Sequence, residues 1–328
     1  QSPWNAHTVL SNASVNNRLV GMVSPTTTTK GDKVFLLAES SELFDESGDM
    51  LLKSLDLTLV VGTVTNSTGG EPSGRISWEN PKSLSSLKTS AAAHEPKFEN
   101  VFPSGGSGVL MEGGTLVFPV LAFDDDSDAL SMIIYSTDNG ENWMLSNGTS
   151  PKECENPRIT EWEGSLLMIA DCEDGQRVYE SRDMGTTWTG TIGTLPGVWT
   201  KSQTSLLDLS LHVDALITAT VAEKKVMLYI QRGYALGEDE IAALYLWVTD
   251  NNRSFYVGPV AMEDDGNWML PSTLLYSDGK LHLLKQRDTN EGSSISLSRL
   301  TEELSTIESV LSTWVQKDLF FSSLSIPT

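Results

Sequence analysis

The sequence predicts an all-β protein built as a β-propeller, and three observations carry that prediction. The segments Ser136-Thr137-Asp138-Asn139-Gly140-Glu141-Asn142-Trp143 and Ser181-Arg182-Asp183-Met184-Gly185-Thr186-Thr187-Trp188 share the spelling S-x-D-x-G-x-x-W and lie 45 residues apart. A repeat at a period of about 40–50 residues is what propeller blades leave in sequence. Short strand-like runs punctuated by turn residues recur along all 328 residues. Nine Trp in a chain that is 8% aromatic suit sheets whose turns are plugged by indoles.

Each box has a turn's logic. Asp138 and Asp183 are expected to accept backbone N–H bonds two residues on, Gly140 and Gly185 to take the positive φ of a tight reversal, and Trp143 and Trp188 to enter the core beneath. Each box, opened by Ser136 or Ser181, follows a strand-like run, Leu130–Tyr135 or Arg177–Glu180.

Before the first box, Asp32–Leu37 and Leu57–Val64 read as strands, the second with Leu57, Leu59 and Val61 alternating onto one face before a turn region at Thr65–Gly74. Gly108–Leu110 and Thr115–Phe123 flank the turn Glu112-Gly113-Gly114, and Pro119 predicts an edge strand or a bulge. Ile159–Trp162, Leu166–Ala170 and Arg177–Ser181 give three consecutive strands that end in the second box. Ile217–Val221, Val226–Gln231 and Ala243–Thr249 follow, and Thr249-Asp250-Asn251-Asn252 stands as a degenerate third box without Gly or Trp. Leu274–Tyr276 and Lys280–Lys285 flank Asp278-Gly279, a hairpin signal. From Leu300 to Trp314 the pattern changes: Leu304, Ile307, Val310, Leu311 and Trp314 have helical spacing. No stretch has the composition of an interdomain linker, so residues 1–328 read as one propeller domain.

The net charge of −22 rests on only 22 Lys and Arg against 44 Asp and Glu. Nucleic acid is excluded as a partner, since binding it needs a basic face, and an anionic substrate is disfavoured. No apolar run approaches the ~20 residues of a transmembrane helix. The opening Gln1-Ser2-Pro3-Trp4 is unlike a signal peptide, so a mature or truncated piece is expected. Sequons begin at Asn12, Asn66, Asn147 and Asn252, all in polar, turn-like surroundings, as a glycosylated secretory-route protein would carry them.

Cys154 and Cys172, placed on strands that turn near Glu163-Gly164, form either a cross-strand disulfide or two separate buried thiols. Zinc is disfavoured, no metal site is expected, and the run Asp124-Asp125-Asp126-Ser127-Asp128 reads as a solvated hairpin loop in preference to a calcium site.

The boxes resemble the Asp boxes of sialidases. Ile159-Thr160-Glu161-Trp162-Glu163-Gly164, Val178-Tyr179-Glu180 running into the second box, Leu246-Trp247-Val248-Thr249-Asp250-Asn251 and Glu308-Ser309-Val310-Leu311-Ser312-Thr313-Trp314 narrow the resemblance to the trypanosome trans-sialidase superfamily, over almost the whole chain. The resemblance implies a six-bladed sialidase-type propeller on a parasite surface glycoprotein, extracellular and without a cofactor. Trp4 resembles the closing Trp of a first Asp box, so the resemblance implies an incomplete first blade, an absent preceding segment with one substrate-binding Arg and the catalytic Asp, and an absent lectin-like domain beyond Thr328.

Active members of that family grip the sialic acid carboxylate with three Arg and attack the anomeric carbon with a Tyr activated by a Glu, an exception to the two-carboxylate scheme of most glycosidases. Position by position, this chain departs from that pattern. Asp171 stands for the second Arg, Ile241 for the third, Pro271 for the nucleophilic Tyr and Asn156 for its Glu. Ser24 replaces an Asp ahead of Pro25-Thr26, and Asp239 replaces the aromatic that helps hold an acceptor sugar. Two like charges ~5 Å apart at an effective dielectric of ~20 repel by about 3 kcal/mol, so an Asp in an Arg position opposes an anion as well as failing to hold it. The reading that follows is a non-catalytic member binding host-cell protein or glycan; the alternatives are an active sialidase or trans-sialidase, and an antigenic surface protein without a small-ligand site. The remodelled pocket is expected at Ser24, Asn156, Asp171, Asp239 and Trp268, with Trp268 either stacking a sugar or buried structurally.

Overall fold

The computed structural model describes residues 9–10, 13–15, 18–44, 50–65, 75–95, 97–201, 212–234, 242–263, 272–289 and 292–324. The chain forms two compact units, Gln1–Ala170 with Glu180–Thr189, and Asp171–Tyr179 with Gly190–Thr328. Asn12, Asn66, Asp239, Ile241, Trp268 and Pro271 lie outside the described residues.

In the first unit, β1 (Ala13–Val15), β2 (Arg18–Lys30), β3 (Lys33–Phe44), β4 (Met50–Thr65) and β5 (Arg75–Trp78) pair in that order, and β6 (Lys82–Ser83) adds to β4. Helix α1 (Ser85–Ala92) leads to β7 (Phe98–Pro103), and β8 (Gly106–Ser107) returns to lie parallel to β2. With β9 (Val109–Leu110), β10 (Leu116–Asp124), β11 (Ala129–Ser136) and β12 (Met144–Leu145), β7 completes a second sheet.

Strand β10 is interior, so of the two outcomes expected from Pro119 the edge is corrected, while the strand does carry a bulge or irregularity in its pairing with β7. One flank of β10 pairs with β9 at residues 116–117 and with β7 from Val120 onward. Pro119 sits in the gap between these two partners, where no ladder donor is required, and its carbonyl accepts the Ser104 N–H at 3.2 Å. The register shift lies later, between Phe123 and Asp124.

The third sheet runs β13 (Cys154–Trp162), β14 (Ser165–Cys172), β15 (Gly175–Ser181), β16 (Thr189–Gly190). Ile159, Leu166, Leu167, Met168, Ile169 and Val178 are buried, so consecutive residues of β14 bury both faces. Cys154 and Cys172, at the start of β13 and the end of β14, are disulfide-bonded.

In the second unit, α2 (Pro196–Lys201) precedes β17 (Val213–Val221), β18 (Lys224–Tyr234), β19 (Ala242–Thr249) and β20 (Ser254–Glu263), one antiparallel sheet in chain order. The last sheet is β21 (Thr273–Ser277), β22 (Lys280–Thr289), β23 (Gly292–Arg299), and α3 (Thr301–Leu324) follows. The described residues thus hold five sheets.

One core gathers Phe35, Leu59, Phe118, Met132 and Trp143. The other gathers Leu228, Leu246, Leu283 and, from α3, Leu304, Ile307, Leu311 and Trp314. These helical positions recur on one face, and burying each apolar side chain stabilises the fold by about 1.5–3 kcal/mol. The helix continues ten residues past Trp314 with Val315, Leu319, Phe320 and Phe321 exposed, and those residues carry no inward stripe to announce it.

Candidate functional site

The repeated boxes are the turns that join β11 to β12 and β15 to β16. Ser136 Oγ donates to Asp138 Oδ1 at 2.8 Å and accepts the Gly140 N–H at 2.9 Å, while Asp138 Oδ1 accepts the Asn142 N–H at 2.9 Å. The second box repeats this: Ser181 Oγ donates to Asp183 Oδ1 at 2.9 Å, the Gly185 N–H reaches Ser181 Oγ at 2.8 Å and the Thr187 N–H reaches Asp183 Oδ1 at 2.9 Å. The Asp therefore receives the N–H four residues on, where two was expected, because the residue after each Asp is also left-handed (Asn139 at φ 62°, Met184 at φ 55°) ahead of its Gly. The N–H and side-chain amide of Asn142, with the Ser136 hydroxyl, draw the Asp138 carboxyl down to about 2. Trp143 is buried and its Nε1 donates to the Gly140 carbonyl at 3.1 Å. Trp188 is half-buried, less than the core position expected of it, and its buried Nε1 has no hydrogen-bond partner among the described residues.

The third, degenerate box keeps the same chemistry without Gly or Trp. Thr249 Oγ1 accepts the Asn251 N–H at 2.9 Å, and Asp250 Oδ1 accepts the Arg253 N–H at 2.8 Å. Arg253 then closes the turn. Its Nη2 donates to Asp250 Oδ2 at 2.6 Å, its Nη1 to Asp318 of α3 at 2.8 Å, and its guanidinium lies 4.7 Å from the Trp314 ring centroid.

In an antiparallel hairpin the start of one strand meets the end of the next. Of the expected pocket positions among the described residues, Asn156 lies near the start of β13 and Asp171 near the end of β14, whereas Ser24 lies midway along β2. In the first unit, Ser24 and Asn156 are both left-handed, at φ 48° and 50°. Ser24 lies within the register shift of β2 against β3, between Val23 and Thr26. Thr26 pairs with Gly106, and the Arg158 guanidinium donates to the carbonyls of Ser104 at 3.0 Å and Pro157 at 3.1 Å. The 104–106 turn therefore lies between the strand of Ser24 and the strand of Asn156. Arg158 is buried and spends these bonds on backbone.

In the second unit the strand ends carry a polar ledge made of two hydrogen-bonded groups. Gln176 Nε2 donates to Asp171 Oδ1 at 3.1 Å, and Gln231 Nε2 donates to Gln176 Oε1 at 3.0 Å. Next to Gln231, Arg232 Nε donates to Asp214 Oδ1 at 2.8 Å. Asp214 is fully buried and also receives His212 Nε2 at 3.0 Å and, on Oδ2, the N–H and Oγ of Ser272 at 3.1 and 2.9 Å. Ser272, the residue that follows Pro271 in the sequence, is thereby tied to a buried carboxylate. Asp214, Arg232 and His212 were not singled out from sequence. The available signal was a charged residue at each end of an apolar run, at Asp214 before Ala215–Ile217 and at Arg232 after Val226–Ile230.

Chemically the ledge is rich in acceptors: it carries two carboxylates, Asp171 and Asp214, and one guanidinium, that of Arg232, which is paired with Asp214. Arg177 is likewise spent, on Asp174 and the Gln176 carbonyl. Tyr276 packs against the helix-lined core, and Glu155 is half-buried. The acidic loop is bound internally. Carboxylate oxygens of Asp124, Asp126 and Asp128 lie within 4.8 Å of one another, and Lys152 Nζ sits 2.9 Å from Asp124 and 3.6 Å from Asp126. A protein ammonium thus occupies the place of a cation. Asn147 and Asn252 of the sequons are exposed.

Boxes of this geometry, repeated on antiparallel sheets, define a propeller of the BNR repeat type, and a BNR repeat-like domain model matches residues 1–296. The chain belongs to the trypanosome sialidase/trans-sialidase superfamily. It is 58% identical over its whole length to "Sialidase 85-1.1" of Trypanosoma cruzi, covering 44% of that protein, and 33% identical over 95% of its length to a T. cruzi sialidase, covering 27% of it. The chain therefore spans less than half the length of these relatives. Trypanosoma rangeli sialidase in complex with sialic acid has the same fold with a TM-score of 0.84 at 30% identity, matched over all of this chain and 52% of that one. The fold is accordingly a sialidase-type β-propeller.

Proposed function

We propose that this chain is the non-catalytic sialidase-fold domain of an extracellular parasite surface glycoprotein that binds a host-cell protein or glycan. The observation that carries the reading is Asp171. It stands where the family resemblance calls for a carboxylate-gripping Arg, and its own carboxylate is held in place by Gln176 and, through it, by Gln231. Asn156, an amide with no base to offer, stands in place of the activating Glu. A preserved scaffold with altered chemistry is a familiar separation of fold from activity. A second reading, an enzyme releasing or transferring terminal sialic acid, draws support from the 58% identity to a protein named as a sialidase.

The test is binding of the secreted, glycosylated protein to mammalian cells by flow cytometry, with and without prior enzymatic removal of cell-surface sialic acid. Saturable binding is expected. Loss of that binding on desialylation identifies a glycan partner, and persistence identifies a protein. Binding no greater than that of a mock-secreted propeller overturns the proposal and leaves antigenic display.

A further inference from the structure

We propose that the first sugars of an N-glycan on Asn147 are seated in a groove of the first unit instead of projecting freely into solvent. The groove has a volume of about 610 Å³ and is lined by His94 and Glu95 beyond α1 and by Tyr135, Trp143, Met144 and Asn147 around the first box. That volume lies within the ~300–1,000 Å³ of small-molecule sites.

The groove's chemistry matches an N-acetylglucosamine pair. Such sugars combine apolar C–H faces and a methyl group with hydroxyl and amide donors. Tyr135 and Met144 supply aromatic and thioether surface, with Met144 42% exposed and the buried Trp143 forming the floor, and the exposed Glu95 carboxylate supplies an acceptor. His94 is fixed as a wall: its ring lies 4.6 Å from that of Phe98, and its Nε2 donates to the Ser146 carbonyl at 3.3 Å.

The attachment point is also rigid. The Ser146 N–H donates to the Ile133 carbonyl at 2.9 Å, and the Gly148 N–H donates to the Gly185 carbonyl at 2.8 Å. A Cβ on Gly148 would lie 2.3 Å from the Thr186 carbonyl oxygen, so the sequon is clamped against the second box. Asn147, between these two anchors, is exposed and its amide makes no hydrogen bond among the described residues. A glycan that starts from a fixed base on the rim loses less freedom on docking than a free oligosaccharide would.

The test uses the full chain secreted from a glycosylating host. Site occupancy is read by mass spectrometry, and the rate of Met144 oxidation in dilute peroxide is compared with that in Asn147→Gln. Met262, 59% exposed in the other unit, serves as an internal reference. Asn147 is expected to be occupied, with Met144 oxidised at least about threefold more slowly than in the variant, since oxidation follows exposure. The protection is expected to survive enzymatic trimming to a single N-acetylglucosamine, with Met262 unchanged. An unmodified Asn147, equal Met144 rates, or protection that vanishes on trimming each overturns the proposal.

Discussion

Replacing Gly185 by Ala measures how tightly the second box is locked into the first unit. Gly185 has φ +74°, and forcing an L-residue into that region costs roughly 1–2 kcal/mol. A Cβ there would also lie 2.8 Å from Ser146 Cβ and 2.9 and 3.0 Å from the Ile133 side chain. Ile133 is fully buried, so the clash cannot be relieved into solvent and adds about 1–3 kcal/mol of overpacking. The sum is about 2–5 kcal/mol. Gly164→Ala is the matched control: φ is +82° and nothing lies within 4 Å, so only the backbone cost applies. Urea unfolding of both variants and the parent, at matched slopes, yields the difference. Gly185→Ala should be the less stable by about 1–3 kcal/mol, the packing component alone. Equal losses would refute the reasoning and mean that the box is not packed as described.

Three further outcomes follow. Asp250 is subject to burial, which raises its carboxyl, but the hydrogen bonds from Arg253 and its backbone win and the net shift is downward; the bond from Arg253 likewise lowers Asp318. Lowered carboxyls contribute stability that is complete above their unfolded value of about 4 and is lost as pH falls through the folded values. Acid unfolding should therefore erode stability over a smaller range in Arg253→Leu than in the parent; an identical pH profile would show that the contact between box and helix carries no linkage. Replacing both Cys154 and Cys172 by Ser opens the loop of 17 residues between them and should cost about 3 kcal/mol in denaturant unfolding, with no measurable loss counting against the bridge's role. Calcium at about millimolar concentration should leave the Tm unchanged, because Lys152 already neutralises Asp124 and Asp128; a rise that chelator reverses would contradict this.

What could be read from the sequence was what is local. The boxes are short, and their Ser, Asp and Gly bond within eight residues, so spelling alone located both. Helix α3 was recognisable as far as Trp314 because Leu304, Ile307 and Leu311 repeat inward. Beyond Trp314 the exposed Phe320 and Phe321 break the pattern while the helix persists. The second left-handed residue of each box was missed because Asn139 and Met184 share no side-chain chemistry. The ledge was missed for a different reason. Asp214 meets Ser272 across 58 residues of chain and Gln231 meets Gln176 across 55, and single-sequence patterning cannot see such pairings. Pro119 left edge and bulge open together; β10 carries a register shift but is interior, because a gap in one flank of an interior strand tolerates a missing N–H as an edge does.

In the proposed function the catalytic groups are gone while the scaffold remains. Hydrolysis of a fluorogenic sialoside tests it most directly, using the full-length secreted protein verified as folded and monomeric, beside T. rangeli sialidase. No turnover above buffer is expected. Turnover within about a hundredfold of the reference enzyme, a loss of under ~3 kcal/mol in transition-state stabilisation, would contradict it.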